Sequence, residues 1–153
     1  MRPVDDLAQL ETWAEGLLRR MEPAARRQLA RKVGQALRRS QAQRIARQQN
    51  PDGSRYERRK KQVRGKSGRI KRAAMFVKLR QAKFLRVSAN ENAIAVGYVG
   101  RASRIARIHQ EGGVDAVRPG GARVRYAQRV LLGFTQADRD MVRDMLIEHL
   151  GGM

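Results

Sequence analysis

The sequence predicts an α+β protein, and two observations carry that prediction. Apolar residues recur at three- and four-residue intervals near both ends of the 153-residue chain, which is the period of amphipathic helices. Between them, two runs alternate apolar and polar residues around a polar turn, as in a β-hairpin. The predicted order is two N-terminal helices, the second long and basic, then a small, mostly antiparallel sheet with a short helix, and a C-terminal helix packed on the sheet.

Length and composition favour a single domain of residues 1–153. A chain of this size buries roughly two-thirds of its unfolded surface in one core. Aromatic residues make up only 5%, so that core must consist mainly of aliphatic side chains. No apolar run approaches the roughly 18 residues of a membrane span, and the N-terminus carries acids where a signal peptide is basic. We therefore expect a soluble protein that is neither exported nor bound to a membrane.

The first two helices are separated by Pro23. The first is predicted to begin near Asp5 or Asp6, because acids are favourable at a helix N-terminus. Its apolar stripe consists of Leu7, Leu10, Ala14, Leu17, Leu18 and Met21. Proline is tolerated in the first turn of a helix but not in its interior, so Pro23 starts a second helix. That helix is predicted to stop at Asn50, since Pro51 disfavours helical geometry before it and Asp52-Gly53 supplies a turn.

The second half of the chain alternates strand and helix signals. The piece 73–79 is too short to distinguish helix from strand. Strands are predicted around 84–87 and 94–98, then a short helix from Arg101 that ends at Gly112-Gly113, as glycine caps do. A loop over 113–121 leads to a last strand over 124–132. Thr135 with Asp138 three positions later resembles a capping box, which predicts the start of the final helix.

The segment from Arg55 to Arg72 is the densest run of charge, and two interpretations remain open. It is either a solvated, mobile loop within the domain or an arm that contacts nucleic acid or an acidic protein surface. Under the second interpretation its affinity would depend on salt and hardly on sequence. The candidate contact residues are Arg55, Arg58, Arg59, Lys60, Lys61, Arg64, Lys66, Arg69, Lys71 and Arg72.

The net charge of +20 is distributed unevenly. The first 22 residues hold five acids against three arginines, and the residues from 138 onward hold four acids against two arginines. Both ends are therefore net negative, and the middle of the chain carries all of the excess positive charge. Acidic ends around a basic centre permit head-to-tail attraction between copies as well as attraction to nucleic acid.

The chain lacks a residue set for catalysis or for a cofactor. Its two histidines, His109 and His149, are far apart in sequence, and there is no cysteine. Neither a metal-ligand spacing nor a phosphate-binding glycine loop occurs, and no serine lies in a nucleophile-elbow sequence. We predict no metal, no cofactor and no enzymatic activity, and we interpret His109 as a structural hydrogen-bonding residue rather than a general base.

The chain contains three short motifs in order: Gln49-Asn50-Pro51-Asp52-Gly53, then Ile108-His109-Gln110 with Gly112, then Leu131-Leu132-Gly133-Phe134 followed by Asp138. In this order and spacing they resemble the phage virion morphogenesis or tail completion family of Mu-like and related contractile-tailed bacteriophages. The likeness covers about residues 17–150. As structural motif residues we single out Pro51, Asp52, Gly53, His109, Gln110, Gly112, Leu132 and Gly133.

The resemblance implies a non-enzymatic virion protein that completes the tail or joins it to the head. Its expected place is the tail or neck of the virion, with assembly in the host cytoplasm. The expected partners are further copies in a ring, other tail or neck proteins and, through the basic arm, DNA. The alternative is a sequence-nonspecific nucleic-acid-binding protein, which would explain the net charge most directly.

Overall fold

The computed structural model describes residues 3–59 and 74–152 and confirms the α+β class. Its helices are α1 (Pro3–Leu18), α2 (Pro23–Ala46), α3 (Arg101–Glu111) and α4 (Gln136–Gly151). Its strands are β1 (Leu85–Ala89), β2 (Ile94–Tyr98), β3 (Val114–Ala116) and β4 (Arg123–Arg125). They form two small antiparallel sheets, β1 with β2 and β3 with β4. No helix within the described ranges is long and apolar enough to span a membrane.

The chain divides into two compact units. The first unit comprises Met1–Ser40, Arg86–Gly97 and Phe134–Met153, and the second comprises Gln41–Leu85 and Tyr98–Gly133. A single domain over 1–153 stays a prediction. Each unit has its own apolar cluster.

The core of the first unit is built from helices. Its buried residues are Met21, Leu29, Val33, Leu37 and Leu146. Val96 of β2 packs against the same cluster as the apolar face of α4, as predicted for a C-terminal helix on the sheet. A Cβ atom at Gly34 would lie only 2.5 Å from Cγ1 of Val87, so glycine allows α2 to approach β1 closely.

Helix α4 begins as its sequence predicts. The Thr135 side chain accepts a hydrogen bond from the Asp138 amide at 3.0 Å, and the Asp138 carboxylate accepts one from the Thr135 amide at 2.9 Å. The hydroxyl of Ser40 also donates to this carboxylate, which is almost fully buried. The capping box therefore satisfies amide groups at the start of α4 and ties it to α2.

The core of the second unit contains four residues that belong to no helix or strand, Tyr56, Met75, Leu79 and Leu131. Its buried residues are Ile45, Tyr56, Met75, Leu79, Ala102, Ala106 and Leu131. Leu131 is fully buried within an irregular segment. Burial raises the pKa of Tyr56 to about 12, and its hydroxyl donates to the carbonyl of Val130 at 3.3 Å.

Two predicted boundaries are wrong. Helix α2 ends at Ala46 rather than Asn50, because Gln48 adopts a left-handed conformation (φ 59°) and the Gln49 amide bonds back to the Arg44 carbonyl. The predicted strand 124–132 is only Arg123–Arg125, and it pairs with β3, where the sequence predicted a loop. Apolar residues also alternate after Arg125, but there Leu131 is buried in the core, and the segment pairs with no strand within residues 3–59 and 74–152. The piece 73–79, which the sequence left open between helix and strand, is neither over its described residues 74–79, and residues 77–79 lie in a turn.

Candidate functional site at the motif junction

The irregular segment Val130–Gly133 is held by side chains from three other parts of the second unit. We call this arrangement the motif junction, defined by the backbone of Val130–Gly133 and the side chains of Gln41, Arg44, Asn50 and Gln110. A buried backbone without a ladder must find its hydrogen-bond partners elsewhere. Each of these four side chains provides some of them.

Gln110 of α3 contacts two consecutive residues of this segment. Its Oε1 accepts hydrogen bonds from the amides of Leu131 at 2.8 Å and Leu132 at 3.0 Å. Its Nε2 donates to the Leu132 carbonyl at 2.8 Å. One amide side chain thus replaces contacts that a neighbouring strand would have made.

Arg44 and Gln41, both buried on α2, hold the other side of the same backbone. The Arg44 guanidinium donates to the carbonyls of Val130 at 3.1 Å and Leu131 at 2.9 Å. It also donates to Oε1 of Gln41 at 2.5 Å, and that oxygen accepts from the Gly133 amide at 3.2 Å. The buried arginine therefore has a structural role.

The Gln-Asn-Pro-Asp-Gly turn supplies the third side of the junction. Oδ1 of Asn50 accepts from the Val130 amide at 2.8 Å. A Cβ atom at Gly133 would lie 2.6 Å from Cγ of Pro51, so this position has no room for a side chain. Hydrogen bonds from Ser54 lower the pKa of Asp52, and Gly53 has a φ of 86° that favours glycine.

His109 lies beside the junction in an aromatic environment. Its ring makes edge-to-face contacts with Phe76 and Tyr126, with centroids 4.8 and 5.2 Å away. Its Nδ1 is 3.2 Å from Nη1 of Arg129, and its carbonyl accepts from the Arg129 amide at 2.7 Å. Burial and the charges of Arg129 and Arg59 lower the pKa of His109 to about 4, so the ring is neutral near pH 7 and accepts from the guanidinium.

Gly112 ends α3 next to the same region. It adopts the left-handed conformation (φ 66°), and the following amide, Gly113, bonds to the Ile108 carbonyl at 2.8 Å. A Cβ atom at Gly112 would meet Cβ of Gln128 at 3.2 Å. The structure thus brings Pro51, Gln110, Leu132 and Gly133 into one junction, while Asp52, Gly53, His109 and Gly112 shape its immediate surroundings.

The candidate contact residues of the basic segment are described only in part. Arg55, Arg58 and Arg59 are exposed. The remaining seven lie outside the described residues: Lys60, Lys61, Arg64, Lys66, Arg69, Lys71 and Arg72.

The chain on either side of the undescribed stretch is fixed by two polar residues. The Gln48 carbonyl accepts from the Tyr56 amide at 2.8 Å, and the Gln48 side chain bonds both the amide and the carbonyl of Met75, at 2.7 and 2.8 Å. Arg129 donates to the carbonyls of Glu57 at 2.7 Å and Arg58 at 3.3 Å. The basic segment is therefore anchored at both described ends.

Sequence reasoning missed four residues that hold this unit together, Gln41, Arg44, Gln48 and Arg129. Arg44 and Arg129 lie among many other arginines, which hides their burial. A signal existed along α2, because Leu37, Gln41, Arg44 and Ile45 follow one helical stripe, and Gln48 after the helix continues its spacing. Polar residues within an apolar stripe indicate buried hydrogen bonds rather than solvent contact.

The arrangement is a set of structural hydrogen bonds. Across residues 3–59 and 74–152, no group of three or more acids or histidines is placed to hold a metal ion. The junction consists of amide and guanidinium groups that bond to backbone atoms. Such an arrangement fixes the course of the chain.

Comparison with known proteins gives the class. The chain belongs to the phage virion morphogenesis family, whose model matches residues 5–151. It is similar to tail completion protein S of Escherichia phage P2, with 37% identity over 149 residues that cover 96% of this chain and 99% of the relative. No solved structure shows significant similarity.

Proposed function

We propose that this protein is a structural component that completes the phage tail, and that it acts as an oligomeric ring at the head–tail junction. The observation that carries the proposal is similarity over nearly full length to a tail completion protein. Residues from all three motifs that the resemblance rests on lie at or beside one structural junction in the second unit. This supports a scaffold role without catalysis. The proposed location is the tail or neck of the virion, after assembly in the host cytoplasm.

The charge distribution supports assembly from identical copies. A ring requires heterologous contacts, in which one face of a copy meets a different face of the next. Acidic ends and a basic centre provide two faces of opposite sign on one chain. Other tail or neck proteins are the remaining partners, and the proposal includes a contact between the basic segment and one of them or DNA.

The test is complementation of a phage that lacks this gene. Lysates without the protein are expected to contain heads and unjoined tails, and purified protein should restore infectious particles. Labelled antibody should bind at the head-proximal end of the tail, and native mass spectrometry should give one oligomer mass. Joined, infectious particles made without the protein would refute the tail completion role. If the protein bound to completed tails has the mass of a monomer, only the ring is refuted.

Nucleic-acid binding is the second candidate, and helix α2 favours it. Pro23–Ala46 contains no acidic residue, and Arg31, Lys32 and Arg39 are all exposed on it. Backbone phosphates bind such a surface without regard to sequence.

Salt dependence of DNA binding tests this candidate. DNA binding by the triple variant Arg31→Gln, Lys32→Gln and Arg39→Gln should depend less steeply on salt. The magnitude of the slope of log K against log salt should fall by up to about 3, since each phosphate contact contributes about 0.9. Arg143→Gln on α4 is the control, because Arg143 is paired with Asp140. An unchanged slope for the triple variant would exclude α2 as the DNA-binding surface. Neutralising Arg55, Arg58 and Arg59 in the same assay tests the arm.

A further inference from the structure

Helix α4 exposes an isoleucine surrounded by net negative charge, and helix α3 exposes one surrounded by net positive charge. On α4 of the first unit, Ile147 is 53% exposed. Asp144, about one turn before it, and Glu148, directly after it, are also exposed. Asp140 lies on this side too and is paired with Arg143. The outward face of α4 therefore carries an apolar centre and a net negative charge.

The matching face belongs to α3 of the second unit. Ile105 is 47% exposed, while Ala102 and Ala106, about 60° and 100° around the helix from it, are buried. Arg101 precedes Ile105 by one turn and Arg104 precedes it directly, and both are exposed. Arg104 is partly engaged by Asp115 at 2.6 Å, whereas Arg101 has no ion pair among the residues that the structure describes. This face has an apolar centre and a net positive charge.

We propose that the outward face of α4 in one copy docks on the outward face of α3 in the next copy. The inference rests on the proposed ring and names its contact. An apolar centre with an oppositely charged surround is the usual composition of a specific interface. Docking of α3 on α3, or of α4 on α4, would juxtapose like charges. The contact is thus head-to-tail, and it repeats from copy to copy.

Cysteine cross-linking tests the contact directly, because the natural chain contains no cysteine. Two preparations, one with Ile105→Cys and one with Ile147→Cys, are mixed and treated with a short thiol cross-linker. Dimers should form in the mixture several-fold more than in either preparation alone. A mixture of Arg107→Cys with Ile147→Cys is the control, since Arg107 is exposed on α3 but lies about 160° around the helix from Ile105.

Charge reversal tests the same contact in solution. Arg101→Glu alone and Asp144→Lys alone should each raise the dissociation constant between copies about tenfold or more, because a contact between opposite charges becomes one between like charges. A mixture of the two variants should recover association, since the altered α3 of one variant suits the altered α4 of the other. Arg107→Glu and Glu11→Lys, which reverse exposed charges elsewhere, should associate like the natural protein.

The outcomes separate the contact from the ring itself. If the natural protein oligomerises but the mixed cysteine preparations cross-link no more than the control, the proposed contact is wrong and the ring stands. If the protein is monomeric both in solution and on completed tails, the ring fails and this contact fails with it. If Arg101→Glu weakens DNA binding and leaves association unchanged, the α3 face binds nucleic acid instead.

Discussion

The two units differ in what holds their cores. In the first unit, buried Leu29, Leu37 and Leu146 lie on regular helices whose backbone bonds are satisfied within each helix. In the second unit, Leu131 is equally buried on a segment without regular structure, and side chains of Arg44, Gln41, Asn50 and Gln110 bond its backbone. Apolar packing supports the first core, whereas the second depends on a few polar residues as well. The variants below should separate the two kinds of support.

The largest effect is expected for Arg44→Met. Met keeps much of the apolar bulk but leaves the carbonyls of Val130 and Leu131 without their donors, which should cost about 4 kcal/mol of unfolding free energy. Arg47→Met, at an exposed position just after the end of α2, should cost less than about 0.5 kcal/mol. Urea unfolding measures both, and equal values would mean that Arg44 is not a structural residue.

Leu29→Ala should weaken the first unit by about 3 kcal/mol. Truncation removes buried apolar surface and leaves a cavity, while no backbone bond is lost. The adjacent, exposed Gln28→Ala should be close to neutral. Hydrogen exchange locates the effect, because protection should fall in α4 for Leu29→Ala and around Leu131 for Arg44→Met. The same exchange pattern for both variants would contradict separate support for the two cores.

Gly133→Ala should destabilise the second unit by about 2 kcal/mol. The added methyl group would lie 2.6 Å from Cγ of Pro51, and a proline ring cannot move aside as a flexible chain can. Gly97→Ala is the control, because a Cβ atom at Gly97 meets nothing within 4 Å. Thermal unfolding compares the two, and a stable Gly133→Ala variant would show that the turn at Pro51 adapts.

The smallest effect concerns pH and His109. Its folded pKa of about 4 lies below the unfolded value of 6.5, so the unfolded chain takes up a proton first as the pH falls. Stability contributed by the neutral ring is therefore present above about pH 6.5 and is lost toward pH 4. Because the ring is only half-buried and solvent screens it, we expect a loss of about 1 kcal/mol between pH 7 and pH 5.

Comparison with His109→Asn isolates this contribution. The stability difference between the natural protein and the variant should shrink by that amount over the same interval, as measured by urea unfolding at each pH. A constant difference would show that His109 does not titrate between its folded and unfolded values. Arg129 and Arg59 are the charged groups that disfavour its protonation.

Prediction from the sequence succeeded where one periodic element explains the pattern. The stripes of α1 and α2, the hairpin of β1 and β2, the glycine end of α3 and the Thr135 capping box all depend on neighbours close in sequence. The strand predicted over 124–132 was wrong, although apolar residues recur there as well. There Leu131 is buried by the core of the second unit, and the backbone bonds come from Asn50 and Gln110, far away in the chain.

The sequence by itself determined the α+β class, the family resemblance and the uneven charge. These follow from local spacing, composition and motif order, which require no knowledge of distant contacts. Only the tertiary structure decided that Arg44 and Arg129, two of the 34 basic residues, are buried. It also decided that the motifs meet around Val130–Gly133. A side chain's burial depends on what packs against it, and for these residues the partners lie up to 87 positions away.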